Sequence, residues 1–193
     1  MIKAAVFGGT FNPFHIGHYE ILSALCSDPY FDRVFVIPDR LPPHKTCDFL
    51  ASDEDRIKMC ELACNDFKKA ELLLLEFERP GKSYTVDTVK ILKKQYENTE
   101  FYIAIGADML SSLDTWHDSE ELFKIASFAA FLRGENHSEF ENDLKKMRRL
   151  GANIKVMNEK ITEISSSELR KNIDKKFIPE KIYNFITEKR IYK

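Results

Sequence analysis

Short apolar runs alternate with stretches of mixed character along most of the chain. The runs are β-branched or aromatic and read as strands: KAAVFG (3–8), RVFVIP (33–38), ELLLLEF (71–77), FYIAIG (101–106), SFAAFL (127–132) and NIKVM (153–157). Between them, apolar residues recur at helical spacing. A first helix is predicted from His15 to Cys26. A second, Asp53 to Phe67, sets Ile57, Cys60, Cys64 and Phe67 at i, i+3, i+7 and i+10. A third, Tyr84 to Tyr96, puts Val86, Val89, Leu92 and Tyr96 on one side. Glu139 to Leu150 reads as a charged surface helix. Pro179, tolerated in a first turn, opens a last helix whose apolar face is Ile182, Phe185 and Ile186.

Near-continuous apolar strands imply a parallel sheet covered on both faces. The predicted fold is therefore α/β: one Rossmann-like, doubly wound domain over residues 1–193, with right-handed crossovers and a helical C-terminal part from about residue 164. Ligands of such sheets bind beyond the carboxyl ends of the strands. That directs attention to the loops GGTFNP, PDRLPPHK, GADML and RGENHSE. The stretch from Pro38 to Ser52 is long, holds three prolines and reads as a lid.

Charge and composition act mainly by exclusion. The 29 basic and 31 acidic residues give a net charge of −2, with no basic footprint for nucleic acid and no charged tail for a membrane surface. The N-terminal MIKAAVFGG is too short for a secretion signal and no run approaches a membrane span, so a cytoplasmic location is expected. Of the four cysteines, Cys26, Cys47, Cys60 and Cys64, none forms the paired Cys-x-x-Cys spacing of a zinc site. Cys60 and Cys64 fall on a helix stripe and read as small core residues.

The chemistry gathers in GGTFNPFHIGH, residues 8–18, at the end of the first strand. A dinucleotide-binding turn would read G-x-G-x-x-G and open its helix at once. Here Gly8 and Gly9 are adjacent and Phe11-Asn12-Pro13 delays the helix, which argues against that site. The glycines allow close backbone approach to a ligand, Pro13 fixes a turn, and Gly17 keeps the helix start thin. His15 and His18 share one face of the first helical turn, beside its positive end and its open N–H groups. That is a place for phosphate oxygens and for charge developing on a transferring phosphoryl group. An isolated H-x-x-H would be no more than one exposed and one core histidine, and a metal would need further ligands that the chain does not supply. A second motif, ISSSELR (164–170), begins with a capping box, Ser165 with Glu168, so a helix starts at Ser165. Ser165, Ser166 and Ser167 offer donors at that start and Arg170 adds a guanidinium fork one turn on. Taken alone, this reads better as a plain cap with a surface arginine.

Together these segments resemble a known family. GGTFNPFHIGH is similar to the H-x-G-H signature of the nucleotidylyltransferase superfamily, and in its full form to bacterial nicotinate-nucleotide adenylyltransferases. PPHK (42–45), SYTVDT (83–88), GADML with TWHD (106–118), ISSSELR and FIPEKIYNFITEKRIY (177–192) fall where that family has similar segments. The resemblance implies adenylyl transfer from ATP to nicotinate mononucleotide, giving nicotinate adenine dinucleotide and pyrophosphate, with magnesium carried by ATP and no tightly bound cofactor. His15, His18 and Arg170 would then be catalytic. Gly8, Gly9, Thr10, Phe11, Gly106, Asp108, Arg133, Ser165 and Ser166 would meet ATP. His44, Lys45, Ser83, Tyr84, Thr85 and Trp116 would meet the mononucleotide, with Trp116 stacking on the pyridine ring.

Several of these roles have a local alternative: Tyr84 and Asp108 as helix caps, Lys45 as a solvated charge, Trp116 as a half-buried core residue. Arg133 keeps the family's basic residue, but Gly134-Glu135 replaces the usual Pro-Gly, and Asn12 stands where many relatives have aspartate. The role of His117 is open, as is the choice between monomer and homo-oligomer. Two other readings compete: a transferase for another acceptor such as phosphopantetheine, and a nucleotide-binding regulator without catalysis. SYTVDT and TWHD oppose the first; intact His15, His18 and Arg170 oppose the second.

Overall fold

A computed structural model describes residues 1–40, 49–79, 81–133 and 137–192. The chain runs β1 (Ile2–Gly9), α1 (Ile16–Ser27), β2 (Arg33–Pro38), α2 (Asp53–Cys64), β3 (Ala70–Leu72), α3 (Thr85–Gln95) and β4 (Thr99–Gly106). It continues with α4 (Ala107–Leu110), α5 (Ser119–Ile125), β5 (Ser127–Arg133), α6 (His137–Arg149), β6 (Ile154–Ile161), α7 (Ser166–Lys171) and α8 (Glu180–Lys189). The strands form one sheet in the order β3-β2-β1-β4-β5-β6, and every neighbouring pair is parallel. This is the doubly wound α/β architecture expected from the alternation of strands and helices.

β1 shows why the strands look apolar at every position. Ala5 and Phe7 pack with Leu22 of α1, Met59 of α2 and Ile182 of α8, while Ala4 and Val6 pack with Phe35, Leu92 and Phe101. Successive side chains of a strand point to opposite faces, and both faces are covered. Leu169, Ile178, Ile182 and Ile186 join the same cluster as Ala5 and Phe7, so the helical tail lies on the sheet.

The structure corrects several expectations. ELLLLEF (71–77) is not one strand: pairing with β2 ends at Val36 with Leu72, and Phe77 N–H closes a turn onto the Leu74 carbonyl at 2.9 Å. The next β2 residue facing that edge is Pro38, which has no N–H to extend a ladder. In α2 the buried stripe is Arg56, Met59, Cys60, Ala63 and Cys64, and the helix stops at Cys64 rather than Phe67. Ile57 is only half-buried, and a charged residue holds the place an apolar one was expected to fill. α5 (SEELFKI) is too short and acidic to stand out by periodicity. Pro179 is the N-cap of α8, one position outside the helix.

Candidate active site

A cleft of about 660 Å³ opens beyond the carboxyl ends of β1 and β4, where the strand order changes direction. Neither Gly8 nor Gly9 turns the chain. Both still pair with β2, opposite Ile37 and Pro38. The left-handed residue is Phe11, at φ 48°, followed by a cis Asn12–Pro13 bond. The turn is thus made by Phe11, Asn12 and Pro13, and the glycines serve as side-chain-free floor. At Gly9 a Cβ would meet the Phe11 ring at 3.1 Å.

The turn delivers His15 to the N-cap of α1 and His18 to its third position. Each imidazole caps the other's backbone. His18 N–H donates to His15 Nδ1 at 3.4 Å, and His15 N–H donates to His18 Nδ1 at 3.3 Å. The rings stack with centroids 3.7 Å apart. A nitrogen that accepts carries no proton, so the neutral rings hold theirs on Nε2. Phe11 and Phe14 close on His18 edge-on, at 5.1 and 5.4 Å between centroids. Both histidines line the cleft, as donors of fixed tautomer at the positive end of a helix.

The capping box of α7 forms as expected, with Ser165 and Glu168 bonding each other's backbone. Ser165 Oγ is thereby used within the cap. Ser166 Oγ donates to the Pro13 carbonyl at 3.3 Å, and Arg170 donates to the Asn12 carbonyl at 2.9 Å and to Ser167 Oγ at 3.1 Å. These bonds dock the start of α7 onto the histidine turn. Glu20 of α1 adds a strut, accepting from Thr162 N–H and its hydroxyl at 2.6 and 2.8 Å. His15, His18, Ser165, Ser166 and Arg170 all line one end of the cleft.

Ser83, Tyr84, Thr85, Trp116 and His117 line the same cleft. Tyr84 is the N-cap of α3 and makes no side-chain bond to the helix, so it is not an ordinary cap. Its ring stacks on His117 at 4.1 Å. Trp116 is half-buried, packed beside Leu113 and Leu122, and still borders the cleft. Gly106 caps α4, and Asp108 lies in its first turn rather than at the cap. Gly8, Gly9, Thr10, Phe11, Gly106 and Asp108 border the cleft as well. His44 and Lys45, with the rest of residues 41–48, lie outside the described residues, as does the side chain of Arg133.

The sequence reading missed a buried polar frame. Arg56, fully buried, donates to the Thr10 carbonyl at 3.1 Å and the Asp39 carbonyl at 2.6 Å, and pairs with Asp53 at 2.7 Å. It clamps the ends of β1 and β2 together. Thr10 Oγ1 donates to Asp39 Oδ2 at 2.9 Å. Under α3, Glu76 accepts from Thr88 Oγ1 at 2.7 Å, and Arg79 donates to the same hydroxyl at 3.1 Å. A charged residue inside an apolar stripe was the available sign for Arg56. Glu76 was hidden inside a run read as strand. Among the described residues, no group of three or more His, Cys, Asp or Glu is placed to hold a metal ion.

Comparison with known proteins places this geometry. Residues 6–172 match the cytidylyltransferase-like family. The probable nicotinate-nucleotide adenylyltransferase of Listeria innocua is 32% identical over 192 residues, covering 98% of this chain and 97% of its own. That of Exiguobacterium sibiricum is 33% identical over 196 residues, covering 99% of each. The Plasmodium falciparum nicotinic acid mononucleotide adenylyltransferase, solved in complex with NaAD, superposes with a TM-score of 0.79 over 100% of this chain and 98% of that one, at 22% identity. With relatives of this identity along nearly its whole length, the chain belongs to the nicotinate-nucleotide adenylyltransferase family within the cytidylyltransferase-like group.

Proposed function

We propose that this protein catalyses the family reaction, transfer of the adenylyl group of ATP to nicotinate mononucleotide, as one catalytic domain in the cytoplasm. An oxygen of the mononucleotide phosphate forms a bond to the α-phosphorus of ATP. The bond from that phosphorus to the α–β bridging oxygen breaks, and pyrophosphate leaves with the electron pair. The attacker is already an anion, so no general base is needed, and catalysis is positioning and charge stabilisation.

The observation that carries this reading is the paired imidazole cap at the start of α1, docked against Arg170. Nε2–H donors held by ring stacking meet charge on the α-phosphate without reorganising. Arg170 takes the leaving pyrophosphate, with Ser165 and Ser166 at the same end. Gly8, Gly9, Thr10 and Phe11 accommodate the adenylate, with Gly106, Asp108 and Arg133 completing its binding. Ser83, Tyr84 and Thr85 receive the pyridine carboxylate at the start of α3, Trp116 stacks on the ring, and His44 and Lys45 meet the mononucleotide phosphate. Magnesium enters as the magnesium complex of ATP, with few protein ligands.

The test is pyrophosphate release from ATP with nicotinate mononucleotide, nicotinamide mononucleotide and phosphopantetheine as acceptors. Release with nicotinate mononucleotide is expected. Release with phosphopantetheine and neither pyridine mononucleotide would overturn the assignment.

A further inference from the structure

One residue inside the histidine turn ties it to three distant parts of the chain. Asn12 is 1% exposed. Its Nδ2 donates to the Phe49 carbonyl at 2.9 Å. Its Oδ1 accepts from Ala51 N–H at 3.2 Å and from the Tyr192 hydroxyl at 2.7 Å. The amide orientation follows from its partners, since a backbone N–H can only donate and a carbonyl only accept. Its own carbonyl accepts from Arg170. The side chain that ends the network, Tyr192, lies 180 residues away in sequence.

The chain bends to bring it there. Arg190 and Tyr192, beyond α8, both have left-handed φ, 56° and 65°, a region that bulky residues enter only when the surroundings hold them. The Tyr192 ring meets Phe49 edge-on at 5.6 Å between centroids. Burial pushes its phenol well above the usual range, so the hydroxyl stays a proton donor through any assay near neutrality. Unlike Asn12 and Arg170, Tyr192 is not among the residues that line the cleft.

We infer that Tyr192 is a positioning residue for the phosphate end of the cleft, acting through Asn12 on the placement of Arg170. The inference rests on the assignment of Arg170 to the ATP phosphates. Tyr192 touches no substrate. Its hydroxyl keeps Asn12 in the one orientation that satisfies Phe49 and Ala51, and the backbone of Asn12 in turn holds the guanidinium fork.

The test compares Tyr192→Phe with the unmodified protein in two readouts: affinity for magnesium-ATP without acceptor, and turnover with nicotinate mononucleotide. The variant keeps the ring against Phe49 and removes only the donor. ATP affinity and kcat are expected to fall about tenfold, with the KM for the mononucleotide nearly unchanged, as for loss of a positioning contact. In an Arg170→Ala background the same change should have less than a twofold further effect, because the residue it acts through is gone. A structural role alone would add its full loss in either background. ATP affinity within twofold of the unmodified protein, or an undiminished loss beside Arg170→Ala, overturns the inference. If Tyr192→Phe does not fold, removal of Tyr192 and Lys193 replaces it with the same expectations. A parent protein that binds ATP but releases no pyrophosphate with nicotinate mononucleotide would sink the proposed function instead, and the coupling is then scored on ATP affinity.

Discussion

A methyl group added at Gly17 would sit 2.9 Å from the Thr162 carbonyl and 3.3 Å from the His15 ring. Alanine normally stabilises a helix over glycine by about 1 kcal/mol. Here the contact is with backbone and with a stacked imidazole, neither of which can yield cheaply, so the sign reverses. Gly17→Ala is expected to destabilise by about 1–3 kcal/mol, as overpacking does, read as a lower urea midpoint. His18 raises a different question, since its ring serves the cap and, in the proposed function, the substrate as well. His18→Ala should lower kcat by roughly 100-fold or more, the scale of losing one preorganised donor. His18→Asn can restore an acceptor for the His15 N–H, so it should recover stability before it recovers rate. A near-normal rate in folded His18→Ala would remove that imidazole from the mechanism.

At the scale of elements, Arg56 fastens α2 to the ends of β1 and β2. Arg56→Met keeps much of the volume but strands two carbonyls and the Asp53 carboxylate. Breaking such a buried set costs roughly 3 kcal/mol, to be measured by denaturant titration at constant m-value, and Arg56→Lys should recover only part because a lysine lacks the fork. This clamp also marks where sequence reading stopped. The cap of α7 was legible because it is local: Ser165 and Glu168 complete their bonds within three residues. The reciprocal cap of His15 and His18 is as local but was not read. Arg56 reaches Thr10 across 46 positions and Asn12 reaches Phe49 across 37, so the partners of neither can be read at short range. The strands were legible for the opposite reason. Burial on both faces makes the central strands nearly continuous apolar runs, and the two edges misled: β3 is shorter than the predicted 71–77, and β6 runs past 157 to Ile161 through exposed polar residues. The stripe of α2 misled as well, because its first buried position is filled by charge.

At the scale of the whole molecule, the free thiols set an alkaline limit. Burial pushes Cys26 up to about 11 and Cys64 up to about 12, from an ordinary 9.0, and raises Cys60 well beyond the usual range. The folded chain therefore holds these protons more tightly than the unfolded one. Their contribution is intact below pH 9 and is lost as pH rises toward 11–12. Tm should fall with pH from about 9 upward, and Cys60→Ala with Cys64→Ala should flatten that slope while lowering stability at neutral pH. In peptide mapping after iodoacetamide at pH 8, Cys60 and Cys64 should react only once denaturant unfolds the chain.

The two ends of the chain have unequal surroundings. Ile2 begins β1 and Asn12 follows its far end, so the eight-residue strand sets Ile2 roughly 25 Å from the histidine turn. Tyr192, by contrast, bonds directly to Asn12 of that turn. An affinity tag or partner domain fused ahead of Met1 is a remote passenger. The same fusion after Lys193 loads the hydroxyl that steadies Asn12, and its expected mark is weaker ATP binding in an otherwise well-folded protein. Fusions for assay or for immobilisation on a surface should therefore be joined at the front.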